Sequence, residues 1–181
     1  MTFRRLPFLG LLVATMFCSF IVGRATSTSS LAAAASPPAG APANSSLQGL
    51  QGQGLVVVQS NFSAEETAER LTMAVSAGAA SVVADIDHAA AAAAVGLELR
   101  PTRVLLVGNP LAGTPLMVAS QTAGIDLPLK FLIYEDAEGR VLLAYNSTRY
   151  LKRRHHIRGE DQLLDNIEAN LRALAEVATQ G

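Results

Sequence analysis

The amino-acid sequence predicts one α+β domain, with an antiparallel or mixed sheet and helices packed on one face. Two observations support this fold class. Long stretches with apolar residues at helical spacing occur twice, once directly after Ser63 and once from Leu163 to Ala178. Between these stretches the apolar runs are short, rich in β-branched residues and separated by Gly, Pro and Asn. The predicted order is therefore a strand, a helix, four strands with short helical excursions, and a helix.

Short apolar runs give the predicted strands. They are Leu55–Gln59, Ser81–Ile86, Arg103–Val107, Lys130–Glu135 and Arg140–Asn146. The loop at residues 136–139 is acidic and ends in Gly139, which is typical of a hairpin between the last two strands.

Capping residues give the predicted helix boundaries. Ser63 with Glu66 forms a capping-box sequence at the start of the first long helix. Asp87 is a suitable N-cap for a short helix over residues 88–95. Pro115, placed at a first helical position, predicts a helix to about Gln121.

Charged residues are distributed unevenly along the chain. The first 53 residues contain no Asp or Glu, whereas all 15 acidic residues and 11 of the 14 basic residues lie from Glu65 onward, which leaves the domain with a net charge near −4. The single cysteine, Cys18, lies outside the domain. The domain therefore has no disulfide, no thiolate metal site and no cysteine nucleophile.

Residues 1–25 predict either a signal peptide or an N-terminal membrane anchor. Arg4 and Arg5 precede residues 6–23, which carry no charge, and Arg24 follows. A basic start, an apolar centre and a small-residue exit are typical of a secretory signal, but a segment of this length also lies at the lower limit for spanning a bilayer. Both alternatives place the domain outside the cytoplasm, in the periplasm or secreted, and the second anchors it to the inner membrane through residues 6–23.

Residues 26–53 are almost wholly Ser, Thr, Ala, Pro, Gly, Asn and Gln. Such a composition cannot bury enough apolar area to offset the entropy of ordering the chain. We therefore expect a disordered linker, followed by a single domain over residues 54–181.

Several motifs follow one another through the domain: Asp87-His88-Ala89-Ala90, Gly96 to Thr102, Gly108-Asn109-Pro110, Gly113 to Met117, Asp126 to Lys130, Tyr134-Glu135-Asp136 and Tyr145-Asn146. In this order and spacing they resemble the bacterial domain-of-unknown-function family 302, over about residues 56–178. The resemblance implies a TATA-box-binding-protein-like fold of a strand, a helix, four strands and a helix. It implies no activity. Leu111 stands where a lysine is common in that family.

Two groups of polar residues at strand ends are candidate sites. Asp85 and Asp87 point to the same side of an extended strand and, with His88, could supply acid/base or metal-binding groups. The alternative is that Asp87 only caps the next helix. The second group is Glu135-Asp136 with Tyr145-Asn146, if the hairpin register brings them together.

A loop and a lysine provide further candidates. The loop at residues 108–115 contains Asn109 and Thr114, each before a proline; it is either a structural turn or a site for a small anion at the helix starts. Lys130 either extends to solvent at an edge or is a buried partner of Asp87 or Glu135.

The basic run at residues 149–158 contains four arginines and Lys152, beside His155 and His156. It is interpreted as a solvated face or as a contact with anionic lipid headgroups, since export argues against nucleic acid. His155 and His156 are also candidates for a titrating switch.

The sequence favours a non-enzymatic domain that binds a small molecule, an anion or a protein partner, with a homodimer also considered. Two alternatives stay open: an enzyme using acid/base chemistry at Asp87, His88 and Glu135, and a structural or assembly module. No cofactor fingerprint or metal signature is present in the sequence, so no cofactor and no metal are expected. Membrane contact is expected only through the N-terminal segment, if that segment is not cleaved.

Overall fold

Five strands form one antiparallel sheet in the order β1-β5-β4-β3-β2 in the computed structural model, which describes residues 53–181. The strands are β1 (Leu55–Gln59), β2 (Ser81–Asp87), β3 (Thr102–Gly108), β4 (Leu129–Glu135) and β5 (Val141–Asn146). The predicted α+β class and the order of its elements are confirmed. The predicted signal or anchor lies outside the described residues, as does the predicted linker up to residue 52.

Five α-helices and one 3-10 helix accompany the sheet. They are α1 (Ala64–Ser76), α2 (His88–Ala94), α3 (Pro110–Ala119), the 3-10 helix (Gln121–Ile125), α4 (Thr148–His155) and α5 (Asp161–Thr179). Within residues 53–181, no helix combines the length and the apolar character that crossing a membrane requires.

The core lies between one face of the sheet and the pair of helices α1 and α5. Because side chains alternate along a strand, every second residue of β3, β4 and β5 points at these helices. The buried residues on that face are Leu105, Val107, Phe131, Ile133, Leu143 and Tyr145. Leu71 of α1 and Leu171 of α5 lie in the same buried cluster.

Helix α1 begins as the sequence predicts. The Ser63 hydroxyl accepts a hydrogen bond from the Glu66 backbone N–H at 3.1 Å, which satisfies one of the free amides of the first turn. The segment before α1 is tied to the end of α5, because the Asn61 amide donates to the Thr179 carbonyl at 2.9 Å. The Ser60 and Thr67 hydroxyls bond each other at 2.7 Å and join the same segment to the first turn of α1.

Helix α3 begins five residues earlier than predicted. The Asn109 side chain accepts a hydrogen bond from the Leu111 amide at 3.0 Å. The helix therefore starts at Asn109-Pro110 rather than at Thr114-Pro115, and Pro115 lies inside it. The prediction of a helix starting at Pro115 is wrong for this reason.

Two helical elements were not predicted. The 3-10 helix follows α3 directly, and α4 occupies most of the basic run. Ser147 caps α4 by accepting from the Tyr150 amide at 3.3 Å, and His156 ends it in the left-handed region with φ of 52°. Only Tyr150 and Leu151 are apolar within α4, so the run shows no helical periodicity that would have revealed it.

Truncating the most central aromatic residue tests this core. Phe131 is fully buried and stacks against Tyr145 with ring centroids 5.4 Å apart. We expect Phe131→Ala to lower the free energy of unfolding by about 3–5 kcal/mol, because it removes apolar contacts and leaves a cavity. Urea denaturation measures the change.

A matched control is Leu97→Ala, since Leu97 is 66% exposed. It should change stability by less than about 0.5 kcal/mol. Equal effects of the two substitutions would show that Phe131 is not part of the stabilising core.

Candidate functional site

Asp87 and His88 lie at the end of strand β2, where α2 begins. One Asp87 carboxylate oxygen accepts from the Ala90 amide at 2.8 Å, so Asp87 caps α2 as the structural alternative predicts. His88 is the first helical residue, and both side chains are exposed.

Asp85 is engaged by an arginine of the neighbouring strand. Arg103 Nε and Nη2 donate to its two carboxylate oxygens at 2.7 and 2.6 Å. The hydrogen bond to Asp85 raises the pKa of Arg103, against a smaller opposing effect of burial. With both side chains 35% exposed, this is a surface ion pair of small energetic value.

Glu135 lies too far from Asp87 to share a cleft with it. Asp87 pairs with Arg103 of β3, and Arg103 pairs with Ile133 of β4, so a whole strand separates Asp87 from the strand that carries Glu135. Two strand spacings amount to about 9–10 Å, well beyond hydrogen-bond reach. The structure therefore does not bring together the acid/base groups of the enzyme alternative.

The hairpin register also separates Glu135 from Tyr145 and Asn146. Glu135 pairs with Val141 at the loop end of the hairpin, whereas Tyr145 pairs with Phe131 at the other end. Tyr145 is a core residue, and burial, assisted by the charge of Glu168, raises its pKa. The prediction that Glu135 and Asp136 form a polar cluster with Tyr145 and Asn146 is therefore wrong.

Lys130 is exposed and bonds to backbone oxygens nearby. Its Nζ donates to the carbonyls of Asp126 and Pro128, each at 3.1 Å. The alternative that it is a buried partner of Asp87 or Glu135 is wrong. Although β4 is an interior strand, Lys130 lies near its first residue and reaches the rim of the sheet.

A concave apolar pocket of about 910 Å³ lies in the described part of the chain. Its walls are the end of α1, the start of β2, the end of β3, helix α3, the segment at residues 127–129 and residues 167–177 of α5. Of the residues that the sequence proposed as a site, Asn109 and Thr114 lie at this pocket, and the other six do not.

Among the residues that the structure describes, no charged side chain lines the pocket. Most of its lining is Ala, Gly, Val, Leu, Ile, Met and Pro, and the polar lining side chains are those of Ser81, Asn109, Thr114 and Asn170. Within residues 53–181 no hydrogen bond engages the side chains of Ser81, Thr114 or Asn170. These three groups can therefore bind a polar atom of a ligand.

Small residues create the pocket. The end of α1 continues into residues 77–80, which are Ala, Gly, Ala and Ala. Gly108 is required by close packing, because a Cβ there would lie 2.9 Å from a methyl carbon of Val83. Larger side chains at these positions would fill the space between α1, α3 and the sheet.

A buried histidine lies behind one wall of the pocket. His155, 6% exposed, places Nε2 2.6 Å from an Asp126 carboxylate oxygen and Nδ1 3.1 Å from the Thr122 hydroxyl. The Ser120 hydroxyl donates to the His155 carbonyl at 2.7 Å. This network joins the end of α4 to the 3-10 helix, and Asp126 directly precedes the pocket residues Leu127 and Pro128. Sequence reasoning noticed His155 but not its partners.

No group of three His, Cys, Asp or Glu side chains that could hold a metal ion occurs in the part of the chain that the structure describes.

The match to a family model decides the classification. Residues 56–177 match the model described as "Domain of unknown function DUF302". The chain belongs to the DUF302 family. A solved DUF302 protein from Bacillus stearothermophilus, described as uncharacterized and conserved, shares the fold with a TM-score of 0.63 and 20% identity, over 69% of this chain and 98% of that one.

Curated relatives match this chain over part of their own length. Over 104 residues this chain is 40% identical to "Fluoride-specific ion channel FluC 1" of Brucella suis biovar 1 (strain 1330), which covers 58% of this chain and 41% of the relative. The protein of the same name in Brucella abortus biovar 1 (strain 9-941) is also 40% identical over 104 residues, and 38% of its length is covered. The chain thus spans about two fifths of the relatives it matches.

The hairpin loop makes a pH-dependent prediction. Burial favours the neutral form of Asp136, but hydrogen bonds from Arg140 and from the backbone amides of Arg140 and Glu138 outweigh it and lower the pKa of Asp136. A carboxylate with a lowered pKa stabilises the fold above its unfolded value of about 3.9, and this contribution is lost as the pH falls through the folded pKa. Asp136→Asn should therefore lose less stability between pH 5 and pH 2 than the wild type, as measured by thermal unfolding.

The comparison is Asp165→Asn on α5, where the carboxylate is exposed and accepts no hydrogen bond from another described residue. It should follow the wild-type pH dependence. If Asp136→Asn also showed the wild-type pH dependence of stability, the loop hydrogen bonds would not depend on ionisation of the Asp136 carboxyl.

The His155 network makes a second prediction. Asp126→Ala leaves a buried imidazole nitrogen without its partner and should destabilise the domain by about 1–3 kcal/mol. Chemical denaturation at neutral pH measures this loss. Asp165→Ala is the matched control, and an equal response of the two variants would show that the network contributes no stability.

Proposed function

We propose that this DUF302 domain is exported and binds one small, uncharged, largely apolar molecule in the pocket between α1, α3 and α5. The uncharged lining is the observation that supports this proposal: the lining contains no Asp, Glu, Lys, Arg or His. An apolar site gains affinity mainly by removing the apolar surface of its ligand from water.

The size of the pocket supports a ligand rather than a packing defect. Ligand sites commonly measure about 300–1,000 Å³, and the pocket volume of about 910 Å³ lies at the upper end of this range. Packing defects in protein interiors seldom exceed the size of a water molecule. A site of this size accommodates a ligand with several rings or a folded acyl chain.

The polar side chains support a ligand with at least one hydrogen-bonding group. Thr114 and Ser81 each offer a hydroxyl, and Asn170 offers both a donor and an acceptor. A few polar groups in an apolar site orient the ligand and give specificity. An alcohol, an amide or a ketone attached to an apolar body has the matching chemistry.

The lining does not favour an anion. The names of the curated relatives suggest fluoride, but no cationic side chain lines this pocket. The matched stretch covers only about two fifths of those relatives. We therefore propose a neutral ligand in preference to fluoride.

The same lining supports binding without catalysis. General acid/base chemistry uses a titratable side chain within hydrogen-bond reach of the reacting atom, and none lines the pocket. Export is supported by the arginines and the apolar segment of the first 25 residues. The expected homodimer stays a prediction.

Filling the pocket tests the proposal. The probe is N-phenyl-1-naphthylamine, an uncharged apolar dye whose fluorescence rises in apolar sites. Ala173 lines the pocket from an exposed position of α5, and Ala173→Trp should occupy part of the cavity. We expect the wild type to bind the dye and Ala173→Trp to bind it at least about tenfold more weakly. The indole would take the place of part of the dye and so remove apolar contacts that contribute about 1.4 kcal/mol or more to the binding free energy.

Ala169→Trp is the matched control. Ala169 is also an exposed alanine of α5, but it does not line the pocket. It should keep wild-type affinity. A wild type that does not bind the dye, or a control that loses as much affinity as Ala173→Trp, would contradict the proposal.

A further inference from the structure

Helix α3 is apolar on both of its faces. From Pro110 to Ile125, through α3 and the 3-10 helix, the chain contains no charged residue. The inner face of α3 contributes Leu116 and Met117 to the pocket. The outer face carries Leu111 and Val118, which are 85% and 83% exposed.

An isolated exposed leucine would have no significance, but this arrangement is different. Leu111 and Val118 are seven residues apart, so they lie on one side of the helix. Ile125, 71% exposed, follows in the 3-10 helix. A helix that is apolar all round is normally buried in protein or in lipid. The described residues nevertheless leave Leu111 and Val118, on the outer side of α3, largely exposed.

Cations of helix α4 lie beside this apolar surface. The Ser120 hydroxyl bonds the His155 carbonyl at 2.7 Å, and Arg154 Nε lies 3.5 Å from an Asp126 carboxylate oxygen. These contacts place the end of α4 against the junction of α3 and the 3-10 helix. Arg153 directly precedes Arg154 and is exposed, and Arg158, also exposed, lies three residues after the last residue of α4.

The cations there outnumber the carboxylates that could neutralise them. Lys152 pairs with Asp161, and Asp126 is occupied by His155 and Arg154. Among the described residues, no ion pair engages Arg149, Arg153 or Arg158, all of which are exposed. The region around the end of α4 therefore keeps a local positive charge, although the domain as a whole is mildly acidic.

We propose that this apolar and basic surface, formed by Leu111, Val118, Ile125, Arg153 and Arg158, docks on an anionic phospholipid bilayer. Apolar side chains enter the boundary between headgroups and acyl chains, while cations next to them bind anionic headgroups. Each cation near such a surface contributes about 1 kcal/mol. This docking is additional to any contact through the N-terminal segment.

The position of the surface in the chain supports a bilayer as the occupant. Residues 6–23 are an uncharged apolar stretch flanked by arginines, and only residues 24–54 separate them from strand β1. A domain that emerges so soon after a membrane-directed segment meets the bilayer before any other surface.

A single tryptophan at the surface tests the proposal, because the chain contains none. The full chain, including its N-terminal segment, is placed in lipid nanodiscs made either of phosphatidylcholine alone or of a mixture with phosphatidylglycerol. We expect Val118→Trp to shift its emission to shorter wavelength and to be quenched by brominated acyl chains in the phosphatidylglycerol discs only.

Val95→Trp is the matched control. Val95 is a 72% exposed aliphatic residue before the start of β3, whereas α3 follows the end of that strand. Its emission should not change with lipid composition. Adding Arg153→Ser and Arg158→Ser to Val118→Trp should lower the docked-to-undocked ratio roughly thirtyfold, because two cations are lost.

Three outcomes would overturn the proposal. The first is a Val118→Trp emission that is the same in both kinds of disc. The second is equal quenching of tryptophan at positions 118 and 95, which would show contact without a defined surface. The third is full quenching that survives loss of both arginines, which would leave no role for the basic half of the surface.

Discussion

The packing of α1 against α5 across one face of the sheet is the contact on which the rest of the structure depends. The two helices lie at opposite ends of the domain sequence, and their buried residues, such as Leu71 and Leu171, meet in one cluster with Phe131. Burial of these side chains contributes the largest favourable free energy available to a domain of this size. The hydrogen bond from Asn61 to the Thr179 carbonyl then fixes the start of the domain to its end.

The limits of this helical layer determine where the pocket lies. Helix α1 ends at Ser76 and continues into four residues without large side chains. The layer therefore stops short of the start of β2 and the end of β3, and α3 borders the remaining space without filling it. The pocket therefore depends on where α1, β2 and β3 begin or end, rather than on any single polar motif.

Much of the fold is predictable from the sequence because local patterns and tertiary packing agree there. The strands show β-branched runs, α1 has its Ser63 cap, and α5 has a continuous apolar stripe. Prediction fails where two local signals compete or where none exists. Asn109 and Thr114 both precede a proline, and the sequence alone does not determine which one starts α3. Helix α4 is fixed by Thr148 and Leu151 entering the core, which is a tertiary contact.

The candidate site was less predictable, for a different reason. Sequence reasoning looks for side chains that carry chemistry, and it selected Asp87, which is satisfied as a helix cap. The pocket depends instead on the absence of large side chains, at positions such as Gly108 that are far from α1 in sequence. The contact between His155 and Asp126 was similarly hidden, because it exists only once α4 has formed and packed on the 3-10 helix.

Helix α3 connects the pocket to the surface. A helix that only forms the wall of an apolar pocket needs one apolar face, and water on its other side would favour polar residues there. Leu111 and Val118 occupy that other side. Exposing these two side chains to water costs little free energy. Their transfer into an apolar environment other than the pocket would still be favourable, because it removes their surface from water. The composition of α3 therefore agrees with the two contacts that we propose, a ligand on its inner face and a bilayer, which also matches the arginines of α4, on its outer face.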